Sequence, residues 1–188
     1  MLSSCKLLTV FLATMLGSTY DRENCSAARA LEVVGERWSL LIIRNAAFAG
    51  MTRFSEFERS LGVAPNILSK RLAGFVGHGL MTVIDAADGG GREYRLTAKG
   101  AELGEVVMAL TAWGDRWSAP AGPPVVYRHS DCGGEVAMRT HCAECGRSPD
   151  IAEVVAHPGP GATGLESRGE EFALTLARTR TRVGDHLG

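Results

Sequence analysis

Between Cys25 and Gly77 apolar residues recur at helical spacing, and glycines at 35, 50 and 62 cut the run into short pieces. A helix seldom runs through glycine followed by a change of apolar phase, so this stretch cannot be one long rod. It has to be several short amphipathic helices that bury their stripes against one another. "SAARALEVVG" offers Ser26 as a cap, presents Ala30, Leu31, Val33 and Val34, and stops at Gly35. "RWSLLIIRNAAFAG" makes a core stripe of Trp38, Leu41, Ile42 and Ala46 before Gly50. "MTRFSEFERSLG" starts at Thr52 as its cap, buries Phe54, Phe57 and Leu61, and ends at Gly62. A fourth helix follows in "GVAPNILSKRLAGFVGHGLM", with Pro65 suited to its first turn.

After Leu80 the pattern becomes "MTVIDAADGGGREYRLT", in which Val83, Tyr94 and Leu96 flank the turn-forming "DGGG", the chemistry of a β-hairpin. A last helix from Ala98 to Trp117 carries Leu103, Val106, Leu110, Trp113 and Trp117 at heptad spacing, the seam of a packed helix pair. Four helices, a hairpin and a long helix are the order of a winged helix-turn-helix, so the expected class is α+β. The expected organisation is an N-terminal apolar segment at 1–19, a winged helix DNA-binding and dimerisation domain at 20–117, a linker "SAPAGPP" at 118–124, a small ribbon-like β-hairpin unit at 125–156, and a tail at 157–188.

In a winged helix-turn-helix the fourth helix would lie in the DNA major groove. Its inner face gathers Leu68, Leu72, Phe75 and Val76, while Asn66, Lys70, Ala73, Gly74 and Gly77 lie opposite. Asn66, Ser69 and Lys70 near its start are placed to reach base edges or phosphates, and the small residues beyond them would let the helix approach closely. The alternative is a core helix with a plain solvent face. Charge decides little: the formal net charge is -1, and between Arg53 and Lys99 seven basic residues face five acidic ones.

The stretch from "CSAARALEVVGERW" through "FSEFERSLGVAPNILSKRLAGFVGHGLM" to "YRLTAKGAEL" resembles the HxlR-type winged-helix transcription regulators of bacteria over roughly residues 20–117. Linked features carry the resemblance: a cysteine leading the first helix, Gly35 shortly before Trp38, Arg53-Phe54, Leu68 three residues before Arg71-Leu72, Gly79-Leu80, and Leu96-Thr97 with Gly100. It implies a homodimeric repressor or activator of double-stranded DNA operators, with a wing on each subunit and terminal helices at the interface. By position it implies Arg53 at the start of the helix meeting the DNA backbone, Asn66, Ser69, Lys70 and Arg71 on the reading helix, and Arg92 on the wing. Where the family usually has charged side chains late in the reading helix, this chain has Gly74, Gly77 and His78, the last expected to be a turn residue.

Some members sense oxidants or electrophiles through the cysteine that Cys25 matches. The helix dipole would favour its thiolate, Asp21 and Glu23 would oppose it, and a buried, inert Cys25 in the dimer is the competing reading.

Five cysteines give no even disulfide framework, and three of them lie close together past the linker. "HSDCGG" and "CAECGR" repeat one design: a ligand, two residues, a cysteine, then glycine. His129, Cys132, Cys142 and Cys145 form an S3N set suited to structural zinc, with no position left open for catalysis. His141 could replace His129 but lacks the spacing. A metal-free hairpin, or a redox pair of Cys142 and Cys145, is the alternative.

No nucleophile elbow, phosphate-binding loop or paired-carboxylate site appears, and "GPGATG" follows no strand-to-helix pattern, so an enzyme is not expected. "MLSSCKLLTVFLATMLGS" is too short to span a bilayer as a helix. It reads as a short signal peptide, as a helix packed on the domain, or as sequence translated upstream of a start at Met15. A DNA-binding regulator places the protein in the cytoplasm with no membrane partner. A winged protein-interaction module that does not read DNA is the other function class.

Overall fold

A computed structural model describes Tyr20, residues 25–157 and residues 159–161. Residues 1–19, Asp21, Glu23 and most of the tail, for which the sequence raised expectations, lie outside the described residues. The chain divides into two units, Met1–Val125 and Val126–Gly188.

The first unit is built from α1 (Ser26–Val34), α2 (Ser39–Phe48), α3 (Phe54–Leu61), α4 (Pro65–Gly77), β1 (Met81–Asp85), β2 (Arg92–Leu96) and α5 (Ala98–Ser118). Its core joins Ile42 and Ile43 of α2, Phe57 of α3, Leu68, Leu72 and Phe75 of α4, Leu80, Met81 and Val107. Each of the short helices fully buries only one to three large side chains there. Their stability is therefore tertiary rather than intrinsic.

Helix starts differ from the sequence reading in two places. Cys25, not Ser26, is the N-cap of α1, and Arg53, not Thr52, is the N-cap of α3. At α3 the satisfying group is Glu56, whose carboxylate accepts the backbone N–H of both Thr52 and Arg53 at 2.9 Å. Two orphan donors are thus met by the residue three positions into the helix. These bonds hold the Glu56 carboxyl below the usual carboxylate range, the Arg53 amide contributing most.

The burial pattern of α2 also departs from the expected stripe. Ile42 and Ile43 are fully buried, Trp38, Leu41 and Ala46 only half-buried, and Asn45 is buried as well. Asn45 donates to Ser60 Oγ at 3.0 Å and so ties α2 to α3, while its carbonyl oxygen accepts from Ala49 and Met51 to close the helix. On α4 the inner face is Leu68, Leu72 and Phe75, whereas Val76 is exposed.

Strands β1 and β2 pair antiparallel with Val83 opposite Tyr94. The Tyr94 amide also donates to the carbonyl of Thr52 at 2.7 Å, so the loop before α3 borders the hairpin. Thr97 caps α5 by accepting the Gly100 amide at 3.2 Å and donates to the Gly79 carbonyl at 2.7 Å. A Cβ on Gly100 would sit 2.0 Å from the Leu80 carbonyl oxygen, so only glycine lets α5 start this close to the strand.

Helix α5 turns Gly100, Gly104 and Val107 inward. The heptad seam therefore lies largely off the core: Leu103 packs on it, while Val106, Leu110, Trp113 and Trp117 are exposed, the last by 67%.

The second unit is held differently. Its only helical segment among the described residues is a 3-10 turn, Ile151–Glu153, and none of residues 126–157 is buried. Arg128 and Glu135 form an isolated antiparallel bridge.

Candidate nucleic-acid interface and thiol sites

The helix-turn-helix is α3 and α4, joined by Gly62 in the left-handed region at φ 60°, with Val63 buried beneath the turn. Three residues later Pro65 occupies the first turn of α4. This geometry fixes which face of α4 looks outward. Asn66, Ser69 and Lys70 are all exposed, and among the described residues none of their side chains has a hydrogen-bond or ion-pair partner.

Farther along, a Cβ on Gly74 or Gly77 would meet nothing within 4 Å. Packing within the chain therefore does not demand glycine at either position. Helix propensity works against both. Their effect is to leave the outer surface low where a groove-bound helix would run closest to its partner.

Two arginines expected at the interface have partners inside the chain. Arg71 is half-buried and pairs with Glu36 at 3.1 Å, tying α4 to the turn between α1 and α2. Arg53 reaches across to Asp88 at the hairpin tip and lies 3.8 Å from Glu93. The Asp88 pair, with Glu93 and Glu56 adding, holds the Arg53 guanidinium above its ordinary range. In turn the Arg53 contact and the Gly90 amide keep the Asp88 carboxyl below the usual carboxylate range. These bonds link the start of the helix-turn-helix to the wing. Sequence spacing could not have found them, since Arg53 and Asp88 are 35 residues apart.

Arg92 starts β2 at the wing and is exposed, without a side-chain partner among the described residues. His78 caps the end of α4, and its carbonyl accepts Lys99 Nζ at 2.8 Å, which agrees with a turn role. Cys25 is exposed within the chain rather than buried. It sits in extended backbone at the head of α1 with no side-chain cap bond.

In the second unit the two cysteine motifs fold into the same turn twice. Around the first, Gly133 N–H donates to the His129 carbonyl at 2.8 Å and His129 N–H to the Gly134 carbonyl at 2.8 Å. Around the second, Gly146 N–H donates to the Cys142 carbonyl and Cys142 N–H to the Arg147 carbonyl, again both at 2.8 Å. Gly133 and Gly146 take positive φ of 70° and 68°, which a side chain would resist.

Within the first turn His129 Nδ1 lies 3.3 Å from Cys132 Sγ. Within the second, the Cys145 and Glu144 amides and the Cys145 thiol keep the Cys142 thiol below its ordinary range. The structure places His129 beside Cys132 in one turn and Cys142 beside Cys145 in the other. Among the described residues no three or more His, Cys, Asp or Glu side chains form one metal-binding cluster.

Residues 33–122 match the HxlR-like helix-turn-helix family. Over 141 residues the chain is 42% identical to the HTH-type transcriptional regulator Rv3095 of Mycobacterium tuberculosis, itself uncharacterized, with 74% of this chain and 89% of that protein covered. The HTH-type regulator Mb3122 of Mycobacterium bovis, also uncharacterized, matches to the same extent. An alignment of 141 residues cannot end at residue 122, so this similarity runs into the second unit. Among solved structures, the candidate transcription factor PA1607 superposes with a TM-score of 0.67 at 37% identity, covering 74% of this chain and 99% of its own. PA1374 from Pseudomonas aeruginosa, another candidate transcription factor, gives 0.53 at 37% identity, with 77% and 99% covered.

Proposed function

The chain belongs to the HxlR-like helix-turn-helix family, and from that membership we propose that it is a transcription regulator that binds duplex DNA as a homodimer and is not an enzyme. The observation that carries this reading is the outer face of α4. Its inner side is committed to the core, yet Asn66, Ser69 and Lys70 are exposed and unpaired at the end that enters a groove, and glycines keep the rest of that face low. Arg92 supplies a cation at the wing. Arg53 and Arg71 act through position, the first anchoring the wing and the second anchoring α4.

Dimerisation uses α5. Four large apolar side chains at 3 and 4 residue spacing, Val106, Leu110, Trp113 and Trp117, face solvent in the single chain, which is costly unless a second copy covers them. Two reading helices related by a twofold axis then fit a roughly palindromic operator. A duplex-DNA regulator works where the chromosome is, so the cytoplasmic expectation travels with this reading.

The test is binding to duplexes selected from a random pool, measured against salt. Affinity should fall steeply as salt rises. Lys70→Ala and Arg92→Ala should weaken binding to all sequences, and Asn66→Ala should also relax base preference by about 1–3 kcal/mol at its position. Wild-type affinity in all three variants would leave the interaction-module reading in place. Leu110→Asp should convert the dimer to monomer in light scattering. Because Cys25 is exposed at a helix N-terminus, the same binding assay with an oxidant or a quinone-like electrophile tests it as the responding thiol. An equal response in Cys25→Ser excludes it.

A further inference from the structure

The second unit has turns as regular as any in the first but lacks what normally orders a chain. No residue from 126 to 157 is buried, and Val126, Val136, Met138, Ile151, Val154 and Val155 are all exposed. Burial of apolar surface cannot offset the conformational entropy of such a segment, and small units of this kind need a staple. The chemistry for one lies in the paired turns.

Both turns carry the same hydrogen bonds at the same offsets, although one begins with histidine and the other with cysteine. What they share is the placement of two donor atoms around a glycine corner. In the first turn the His129 Nδ1 to Cys132 Sγ separation is 3.3 Å. A tetrahedral zinc with ordinary Zn–N and Zn–S bonds has an N···S edge of about 3.5 Å. A Cβ on Gly134 would stand 3.3 Å from Cys132 Sγ, so the backbone closes tightly over that sulfur. In the second turn the Gly146 amide closes on the Cys142 carbonyl at 2.8 Å with Gly146 at φ 68°, the same corner that carries His129 and Cys132 in the first. The remaining ring nitrogen of His129 faces the Asp131 carboxylate at 3.9 Å, the partner type that commonly orients a ligating imidazole.

We propose that these turns are two preformed halves of one structural zinc site, with His129, Cys132, Cys142 and Cys145 as its four ligands. Zinc draws the halves together and supplies the folding free energy that the unit's apolar residues do not. The three thiols give their protons to solvent as the metal binds, and the closed S3N shell leaves no position for catalysis.

The full-length protein, purified without added metal, should carry about one zinc per chain by elemental analysis and native mass spectrometry. Replacement by cobalt should give the intense long-wavelength bands of a tetrahedral ion with thiolate charge transfer. Cys132→Ser and Cys142→Ser should lose metal or bind it at least tenfold more weakly. Because a serine variant could simply unfold the unit, two further variants complete the test. His129→Cys should keep both zinc and a tetrahedral cobalt spectrum, shifted toward an all-thiolate site, and His141→Ala should leave both unchanged. In the zinc protein, peptide mapping after alkylation should find Cys132, Cys142 and Cys145 protected relative to exposed Cys25.

Three outcomes overturn the proposal. They are a zinc content near zero with the three thiols freely alkylated after incubation with zinc, a Cys142–Cys145 disulfide in the protein as isolated under reducing conditions, or loss of metal from His141→Ala but not from His129→Ala.

Discussion

Residues up to Val125 and residues from Val126 onward both contain valine, isoleucine and methionine, yet they use these side chains in opposite ways. In the first unit Val34, Ile42, Ile43, Val63, Met81 and Val107 are buried, because helical spacing gathers them on faces that meet. In the second, Val136, Met138, Ile151 and Val154 are exposed, and order comes from hydrogen-bonded corners around glycine. The contrast separates two routes from sequence to structure. One is periodic and works through burial, so single residues matter in proportion to what they bury. The other is punctual and works through a few residues at fixed offsets, so neighbouring apolar residues hardly matter.

The sharpest way to break this contrast is to trim one apolar side chain to alanine on each side. Leu72 is fully buried at the centre of α4, and Leu72→Ala should destabilise the first unit by about 2–5 kcal/mol in urea unfolding followed by helical signal. Val136 is 40% exposed, and Val136→Ala should change stability by less than about 0.5 kcal/mol. Similar losses at the two positions would mean that the second unit has a core after all, supplied by a partner surface.

The same division explains what could be read in advance. Helix order, the hairpin, and the inner faces of α3 and α4 follow from period and turn chemistry, so Phe57, Leu68, Leu72 and Phe75 were legible as core. The caps at Cys25 and Arg53 were not. Cap preference favours Ser26 and Thr52, but Glu56 satisfies the start of α3 from within the helix and removes the need for an oxygen at the cap. Asn45 was missed because a polar residue breaks an apolar stripe, and only the fold places Ser60 opposite it. On the candidate interface, Asn66, Ser69, Lys70 and Arg92 stand exposed as their pattern suggested. The pairing of Arg53 with Asp88 and of Arg71 with Glu36 depends on tertiary approach, for which sequence offers no local signal. The two matching glycine turns of the second unit were legible from their repeated spacing.

Glycine supplies a comparison within the first unit, at an intermediate size. Gly100 and Gly74 both lie in helices, but a Cβ at Gly100 would collide with the Leu80 carbonyl, whereas one at Gly74 would meet open space. Gly100→Ala should therefore cost about 1–3 kcal/mol through forced backbone displacement. Gly74→Ala should instead raise stability by up to about 1 kcal/mol through helix propensity. DNA affinity should move the other way at Gly74, falling in the more stable variant if α4 approaches the groove as closely as its bare face allows. A Gly74→Ala protein that is both more stable and as tight on its operator would show that the low surface has no role in binding.

The smallest effect concerns the wing, where the first unit borrows the second unit's method of ordering a loop by polar contacts around glycines. Asp88 accepts from Arg53 and from the Gly90 amide, the latter at 2.9 Å, and the only buried apolar side chain of this turn is the small Ala86 at its base. The folded-state pKa of Asp88 is depressed by the arginine contact first and the amide second. A depressed carboxyl contributes stability that is present above its unfolded value, about 3.9, and is lost as pH falls through the lower folded value. Both groups are solvent-exposed, so screening keeps the contribution small. The carboxyl-carbon resonance of Asp88 should therefore titrate with a midpoint below the ordinary aspartate range. In Arg53→Ala that midpoint should rise toward normal, with the Gly90 amide bond leaving a residue of the depression. At neutral pH the Gly90 amide should exchange with solvent faster in Asp88→Ala than in the wild type, while global stability barely changes. As pH falls through the Asp88 midpoint that difference should vanish, because the wild-type side chain has then lost the charge that held the tip. An Asp88 midpoint at or above the ordinary value would mean that Arg53 does not hold the wing in solution, and would leave that guanidinium free for a phosphate.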